Sequence, residues 1–183
     1  MKSEIIEWIK ALAIALIIGL GASYFITVLQ VFDVSMNPTL VEGDRLLLVN
    51  THQVHDGEIC IFETKIPISS YDYKKMNIFQ RYKNGKYKTL IKRVIATEGD
   101  SLDIHNGIVI RNGKQMVEPY IKDGYTPGDI HIDKLPKGMV FAMGDNRLNS
   151  HDSRSEDVGP VQAEKIRGKV VFRFWPLNKI GPM

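Results

Sequence analysis

The sequence predicts an all-β protein, a mostly antiparallel β-sheet or partial barrel, preceded by one N-terminal helix that spans a membrane. Three observations carry this. Residues 11–29 are almost uninterruptedly apolar, relieved only by Ser23, Tyr24 and Thr27. From residue 31 on, short apolar and β-branched runs recur between Gly-Asp, Asp-Gly and Asn-Gly turn pairs, at the spacing of a sandwich or barrel. Beyond the apolar segment no amphipathic helix of any length can be drawn, and Gln162–Ile166 suffices for one turn only.

The apolar run comes first. Its nineteen residues, at ~1.5 Å each, span ~28 Å, about the thickness of a hydrocarbon core. Trp8 near one end and Tyr24 and Phe25 towards the other suit the interfacial aromatic belts. A cleaved export signal would have an apolar region of ~7–15 residues and a small-x-small site, which this run lacks, so an uncleaved anchor is expected over about 8–29. Lys2 and Lys10 favour a cytoplasmic N-terminus, because acidic neighbours count little in the positive-inside rule. The division expected is therefore an anchor over 1–30 and an extracytoplasmic β-rich domain over 31–183, carrying a small inserted β region at about 101–138.

Arg45–Asn50 and Glu58–Glu63 read as strands bounded by Gly43-Asp44 and Asp56-Gly57. Asn84-Gly85 is set to close a hairpin between Ile78–Tyr82 and Tyr87–Ile95. Asn-Gly pairs at 106–107 and 112–113 divide Ser101–Glu118 into three short strands of a meander. Residues 119–137, with three prolines, read as loop, and strands resume at Met139–Met143 and Lys169–Trp175. Met139–Met143 or Phe172–Trp175 would add contact with a membrane interface.

Composition limits the chemistry. A net charge of +3 over 183 residues gives no footprint for nucleic acid. The single cysteine, Cys60, rules out an internal disulfide framework and a cysteine-rich zinc site, and its apolar run Ile59–Phe62 makes it a buried strand residue.

Directly after the apolar segment stands Ser35-Met36-Asn37-Pro38-Thr39-Leu40, a candidate nucleophile at the bilayer surface. A serine needs a base. The five histidines have no informative spacing; even His151, flanked by Ser150 and Asp152, has neighbours that point to opposite faces of an extended chain. Lys92 is the other option. In Leu90–Ala96, period 2 puts it on the face of Leu90 and Val94, where apolar surroundings lower an ammonium's pKa and free it to accept a proton. The alternative is a lysine snorkelling from an edge strand with its stem on the core. The stretch Gly144–Arg154 mixes turn formers with Asp145, Arg147, Asp152 and Arg154, which either support a base or pin a solvated loop through ion pairs.

Together these stretches resemble the type I signal peptidases, membrane enzymes that remove signal peptides from exported proteins. Ser35-Met36-x-Pro38-Thr39-Leu40 is similar to the family's nucleophile box. Gly43-Asp44 before a hydrophobic strand is similar to its next box, Lys92-Arg93-Val94 with Gly99-Asp100 to its lysine box, and Gly144-Asp145-Asn146 with Ser150-x-Asp152-Ser153-Arg154 to its last. The likeness runs from residue 8 to about 176. It implies a membrane-bound serine endopeptidase that cuts after small-x-small, A-x-A-like sites, with Ser35 as nucleophile and Lys92 as general base. Ser150 would orient the lysine, and Asp145, Asp152 and Arg154 would support the site. The Ser35 N–H would form part of the oxyanion hole, while Met36, Leu40 and Ile91 would belong to the substrate pocket. It also implies no metal and no cofactor. The partners would be signal peptides of secreted preproteins, the lipid bilayer and, transiently, the export machinery. Asp33 departs from the serine, threonine or glycine common two residues before the nucleophile. Ala96 and Glu98 stand where glycine and proline are common, and the short insertion suits compact Gram-positive-like members.

The rival readings are a non-catalytic relative that binds export substrates or assists surface-fibre assembly, and a self-cleaving serine–lysine repressor. The first would lack the serine or the lysine, and the second would carry a DNA-binding domain in place of the anchor.

Overall fold

A computed structural model describes residues 2–70, 73 and 85–183. Helix α1 (Lys2–Phe25) runs without a loop into strand β1 (Ile26–Gln30). The helix expected to reach residue 29 thus stops four residues early. Ile26, Thr27 and Val28 are β-branched, and strand pairing suits their stiff side chains better than another helical turn. Asn50 receives the helix end: its N–H donates to Phe25 O at 2.9 Å and its Nδ2 to Tyr24 O at 2.7 Å. Both are carbonyls that a helix terminus leaves without a partner. Among the described residues no helix is long and apolar enough to cross a membrane.

Along the chain follow β2 (Arg45–Val49), β3 (Ile59–Pro67), β4 (Tyr87–Ala96), β5 (Leu102–His105), β6 (Ile108–Arg111), β7 (Lys114–Gln115) and β8 (Ile130–Ile132). The last four are β9 (Met139–Met143), β10 (Val161–Gln162), β11 (Ile166–Trp175) and β12 (Gly181–Pro182). Eight of these strands form one sheet in the order β1-β2-β11-β3-β4-β9-β10, with β12 beside β11; β7-β6-β5-β8 form a smaller one. Every pairing is antiparallel.

Strand β3 sits at the centre of the larger sheet and is apolar on both faces. Ile59 and Ile61 pack with Val31, Met36, Leu40, Leu46, Leu48 and Val170 on one side. Cys60 and Phe62 pack with Val94, Val140, Ala142, Val161 and Ile166 on the other. A third cluster, including Ile95, Leu102, Ile104, Leu135 and Phe141, joins the smaller sheet to the larger one. Strand β4 contributes to all three clusters, through Ile91, Val94 and Ile95, so its middle is held from several directions.

The meander forms at its Asn-Gly pairs: Asn106 and Gly107 have φ of 51° and 82°, and Asn112 and Gly113 have 51° and 72°. Glycine adopts these values freely and asparagine tolerates them, which is why the pair makes tight hairpin turns. Within 119–137, read as loop, the structure instead places β8 against β5. Ile130 and Ile132 pack inward while His131 faces Asp103 and Asp133, an alternation too short to register in the sequence. The hairpin strand expected at Ile78–Tyr82 lies outside the described residues. Met139–Met143 is a further correction, because β9 is buried between β4 and β10 and has no interface to offer a membrane. Trp175 is exposed.

Candidate active site

The Ser35 turn follows β1 and is tied down from three sides. Asn37 N–H bonds Val34 O, Leu40 N–H bonds Met36 O, and the buried Asp44 accepts both Val41 N–H and Arg173 Nη1, the latter at 3.0 Å. Met36 and Leu40 are fully buried beneath the turn, and Ile91 is half-buried against the same cluster. They form a floor under Ser35. Ser35 itself is only 4% exposed, and its N–H donates to no acceptor among the described residues.

Lys92, on β4, reaches the Ser35 turn from the strand face that carries Leu90 and Val94, opposite Ile91. Its Nζ lies 2.6 Å from Ser35 Oγ and the residue is 1% exposed, so the lysine does not snorkel. Burial is the dominant influence on the amine and holds its pKa below the usual lysine value; Asp152 and Asp33 oppose the shift by attraction. Cys60 is the cross-strand partner of Lys92. Burial pushes its thiol up to about 12, so the neutral sulfur acts as an apolar neighbour of the lysine stem.

The Gly144–Arg154 loop closes the site from the β9 side. Asn146 N–H donates to Ser35 O at 3.0 Å, and Asn146 Nδ2 to Val34 O at 3.1 Å. Gly144 has no room for a side chain: a Cβ there would fall 2.2 Å from Ser150 Oγ and 2.4 Å from Ser35 O. The Ser150 hydroxyl is buried and turned towards the Asp152 carboxylate closely enough to help lower its pKa, yet completes no hydrogen bond of ordinary geometry. For Asp152, burial works upward but is outweighed by Arg154, whose Nε and Nη2 both donate to the carboxylate at 2.9 Å, and by the Gly144 N–H. Asp145 is held by Arg93 through Nε at 2.8 Å and Nη2 at 2.6 Å. The ion pairs therefore pin the loop, and Asp152 also attracts the Lys92 amine.

Each predicted site residue is thus placed around one point. Ser35 and Lys92 are in contact; Asp145, Asp152, Arg154 and Ser150 lie in the loop behind them; Met36, Leu40 and Ile91 lie below. Sequence reasoning put Arg93, Gly144 and Asn146 in the family-like boxes without giving them a role, and did not single out Glu118, the partner of Arg147. Arg93 was one residue from the lysine and, by period 2, faces away from it to reach Asp145. The histidines make their contacts elsewhere: His52 with Ile166 O, His55 with Glu58, His105 with Asp129, His131 with Asp103, His151 with Asp157.

The family model of signal peptidase, peptidase S26, matches residues 5–175, a span that contains every residue of this site. The chain belongs to that signal peptidase family. Signal peptidase IB of Staphylococcus aureus (strain COL) is 31% identical over 201 residues, covering 98% of this chain and 94% of that protein. The probable signal peptidase I-1 of Synechocystis sp. is 33% identical, covering 97% and 86%. Among solved structures, a signal peptidase I from Enterococcus faecalis V583 matches with a TM-score of 0.46 and 22% identity, over 64% of this chain and 96% of that one.

Proposed function

We propose that this signal peptidase family member removes signal peptides from exported preproteins through a Ser35–Lys92 dyad. The observation that carries the reading is the 2.6 Å contact between Ser35 Oγ and a buried Lys92 Nζ. A neutral amine takes the hydroxyl proton as Oγ attacks the scissile carbonyl carbon, forming the C–O bond and moving the carbonyl electron pair onto oxygen. The Ser35 N–H points its unused donor at that oxyanion, an interaction typically worth ~3–4 kcal/mol. As the C–N bond breaks, the Lys92 ammonium returns the proton to the leaving amine. An acyl ester on Ser35 remains. Water then attacks it, giving its proton to Lys92, and collapse of the second tetrahedral state releases the signal peptide's carboxylate and regenerates Ser35. In this reading Asp152, Arg154 and Asp145 hold the loop that keeps the pair aligned, and the role given to Ser150 is to orient the amine.

Cleavage after small-x-small sites accords with a site floored by tightly packed side chains, where an extended substrate finds only shallow pockets. The same proposal makes α1 a membrane anchor with a cytoplasmic N-terminus, followed by an extracytoplasmic catalytic domain of a single-pass protein. Ile5, Ile6, Trp8, Ile9, Ile14 and Ile17 are all exposed around the helix, the pattern of a helix that needs an apolar environment on most of its circumference. Preproteins would then arrive from the export machinery with their cleavage sites at the bilayer surface, beside Ser35.

The test is cleavage of a preprotein bearing an A-x-A site by the detergent-solubilised chain, with Ser35→Ala and Lys92→Met in parallel. A cut after the second alanine by the unaltered chain alone supports the dyad. Equal cleavage by either variant overturns it.

A further inference from the structure

Glu118 and Arg147 form a buried ion pair that the chemistry of the dyad does not use directly. Their side chains are 6% and 2% exposed. Arg147 spends its whole guanidinium on two separate parts of the chain. Nη1 and Nη2 donate to Glu118 Oε2 and Oε1 at 3.0 and 2.5 Å, and Nη1 also reaches Thr126 Oγ1. Nε donates to Gly144 O at 3.1 Å. The other end of the contact is equally fixed. Tyr120 OH donates to Glu118 Oε1 at 2.8 Å, Thr126 is fully buried, and the Tyr120 ring lies 4.1 Å from the Arg93 guanidinium that holds Asp145. Arg154 adds a parallel strap, donating to Pro127 O and to Arg147 O.

The consequence lies at Gly144 and Asn146. These residues touch Ser35 O directly, and Arg147 grips one of them by its carbonyl and adjoins the other in sequence. Resting on the Ser35–Lys92 reading above, we infer that Glu118 and Arg147 are positioning residues for catalysis. The segment 118–127 holds Arg147, Arg147 holds the 144–146 backbone, and that backbone fixes where Ser35 stands relative to Lys92. An isolated framework ion pair would be met by any contact that neutralised the arginine. Here the planar fork and the separate Nε bond are both engaged, which a lysine cannot reproduce. Misplacing a reacting group by a fraction of an ångström from a distance costs rate while leaving substrate binding largely intact.

Arg147→Lys is the discriminating variant, since it keeps the charge opposite Glu118 and gives up the bond to Gly144 O. The assay is cleavage of a peptide with a small-x-small site by the full chain in detergent, with kcat, KM, the pH profile of kcat and the unfolding midpoint measured together. The expected result is a fall in kcat on the order of tenfold with KM within about twofold. The acid limb should also move to higher pH, as a loosened site admits water to Lys92 and lets its pKa rise. Glu118→Gln, which keeps length and an acceptor oxygen, is expected to show the same split. A kcat within about twofold of the unaltered chain in both variants overturns the inference. So does a loss that scales equally at every pH with the folded fraction, or a failure of both variants to fold, since each assigns the pair to the framework alone. Ser35→Ala in the same assay separates the two levels: if it still cleaves, the dyad itself is wrong and the inference falls with it.

Discussion

Lys92 Nζ stands 2.6 Å from Ser35 Oγ although 57 positions separate the two residues in the chain, and the amine is buried with its pKa held down. That relationship is unfavourable for folding and is the one the proposed dyad requires. In the folded chain Lys92 titrates below its ordinary 10.5, so between those values the unfolded chain binds more protons and stability rises with pH. Below the folded value the cost is present in full. Lys92→Met should therefore abolish cleavage while raising the unfolding midpoint, with the gain larger at neutral pH than near the ordinary lysine value of 10.5. Thermal melts at the two pH values check this, and a destabilised or pH-independent variant would contradict it.

Asp33 is exposed, accepts the Val34 N–H at 2.6 Å, and attracts the Lys92 ammonium. Replacing it by asparagine keeps the acceptor and removes the charge. The acid limb of kcat should shift to lower pH by a fraction of a unit, because solvent screens an exposed carboxylate. An upward shift in the pH profile would rule out that attraction.

Gly144→Ala places a methyl group where Ser150 Oγ and Ser35 O now stand, at 2.2 and 2.4 Å. One neighbour is backbone and cannot rotate away, so the Ser35 turn must move. We expect kcat to fall by ~10²-fold with the chain still folded, read by steady-state kinetics beside circular dichroism. Full activity would mean that the turn and loop can separate without consequence.

Arg93→Met strips the fully buried Asp145 carboxylate of its bidentate partner. Leaving one half of a buried ion pair typically costs ~3–5 kcal/mol, and the Arg93→Met/Asp145→Leu double variant should recover much of it. Urea unfolding of the single and double variants measures the difference. If the single variant loses less than about 1 kcal/mol, the pair behaves like an exposed one.

Asp152 is held below its ordinary 3.8 in the folded chain, so its contribution to stability is present above that value and is lost as pH falls through the folded one. Asp152→Asn should be less stable at neutral pH, and the deficit should narrow on acidification below about pH 4. Midpoints that stay parallel across the range would show that Arg154 does not hold the carboxylate down.

Much of this protein was legible in the sequence because local chemistry dictated it. The apolar runs of β3 and β4, the Asn-Gly turns at 106–107 and 112–113, and the burial of Cys60 each follow from a few neighbouring residues. The order of the boxes also named Ser35 and Lys92. What the sequence could not decide was set by contacts between distant segments. The helix ends at Phe25 because β2 is there to pair with Ile26–Gln30 and Asn50 to take up the last carbonyls. Three residues become β8 because β5 offers an open edge. Lys92 is buried, not snorkelling, because the Ser35 turn folds over it, and Glu118 meets Arg147 only because the fold brings them together across 29 positions. Local preferences determine the elements. The partner of a buried charge is chosen only when the chain has closed around it, because only there does leaving the charge unpaired cost so much.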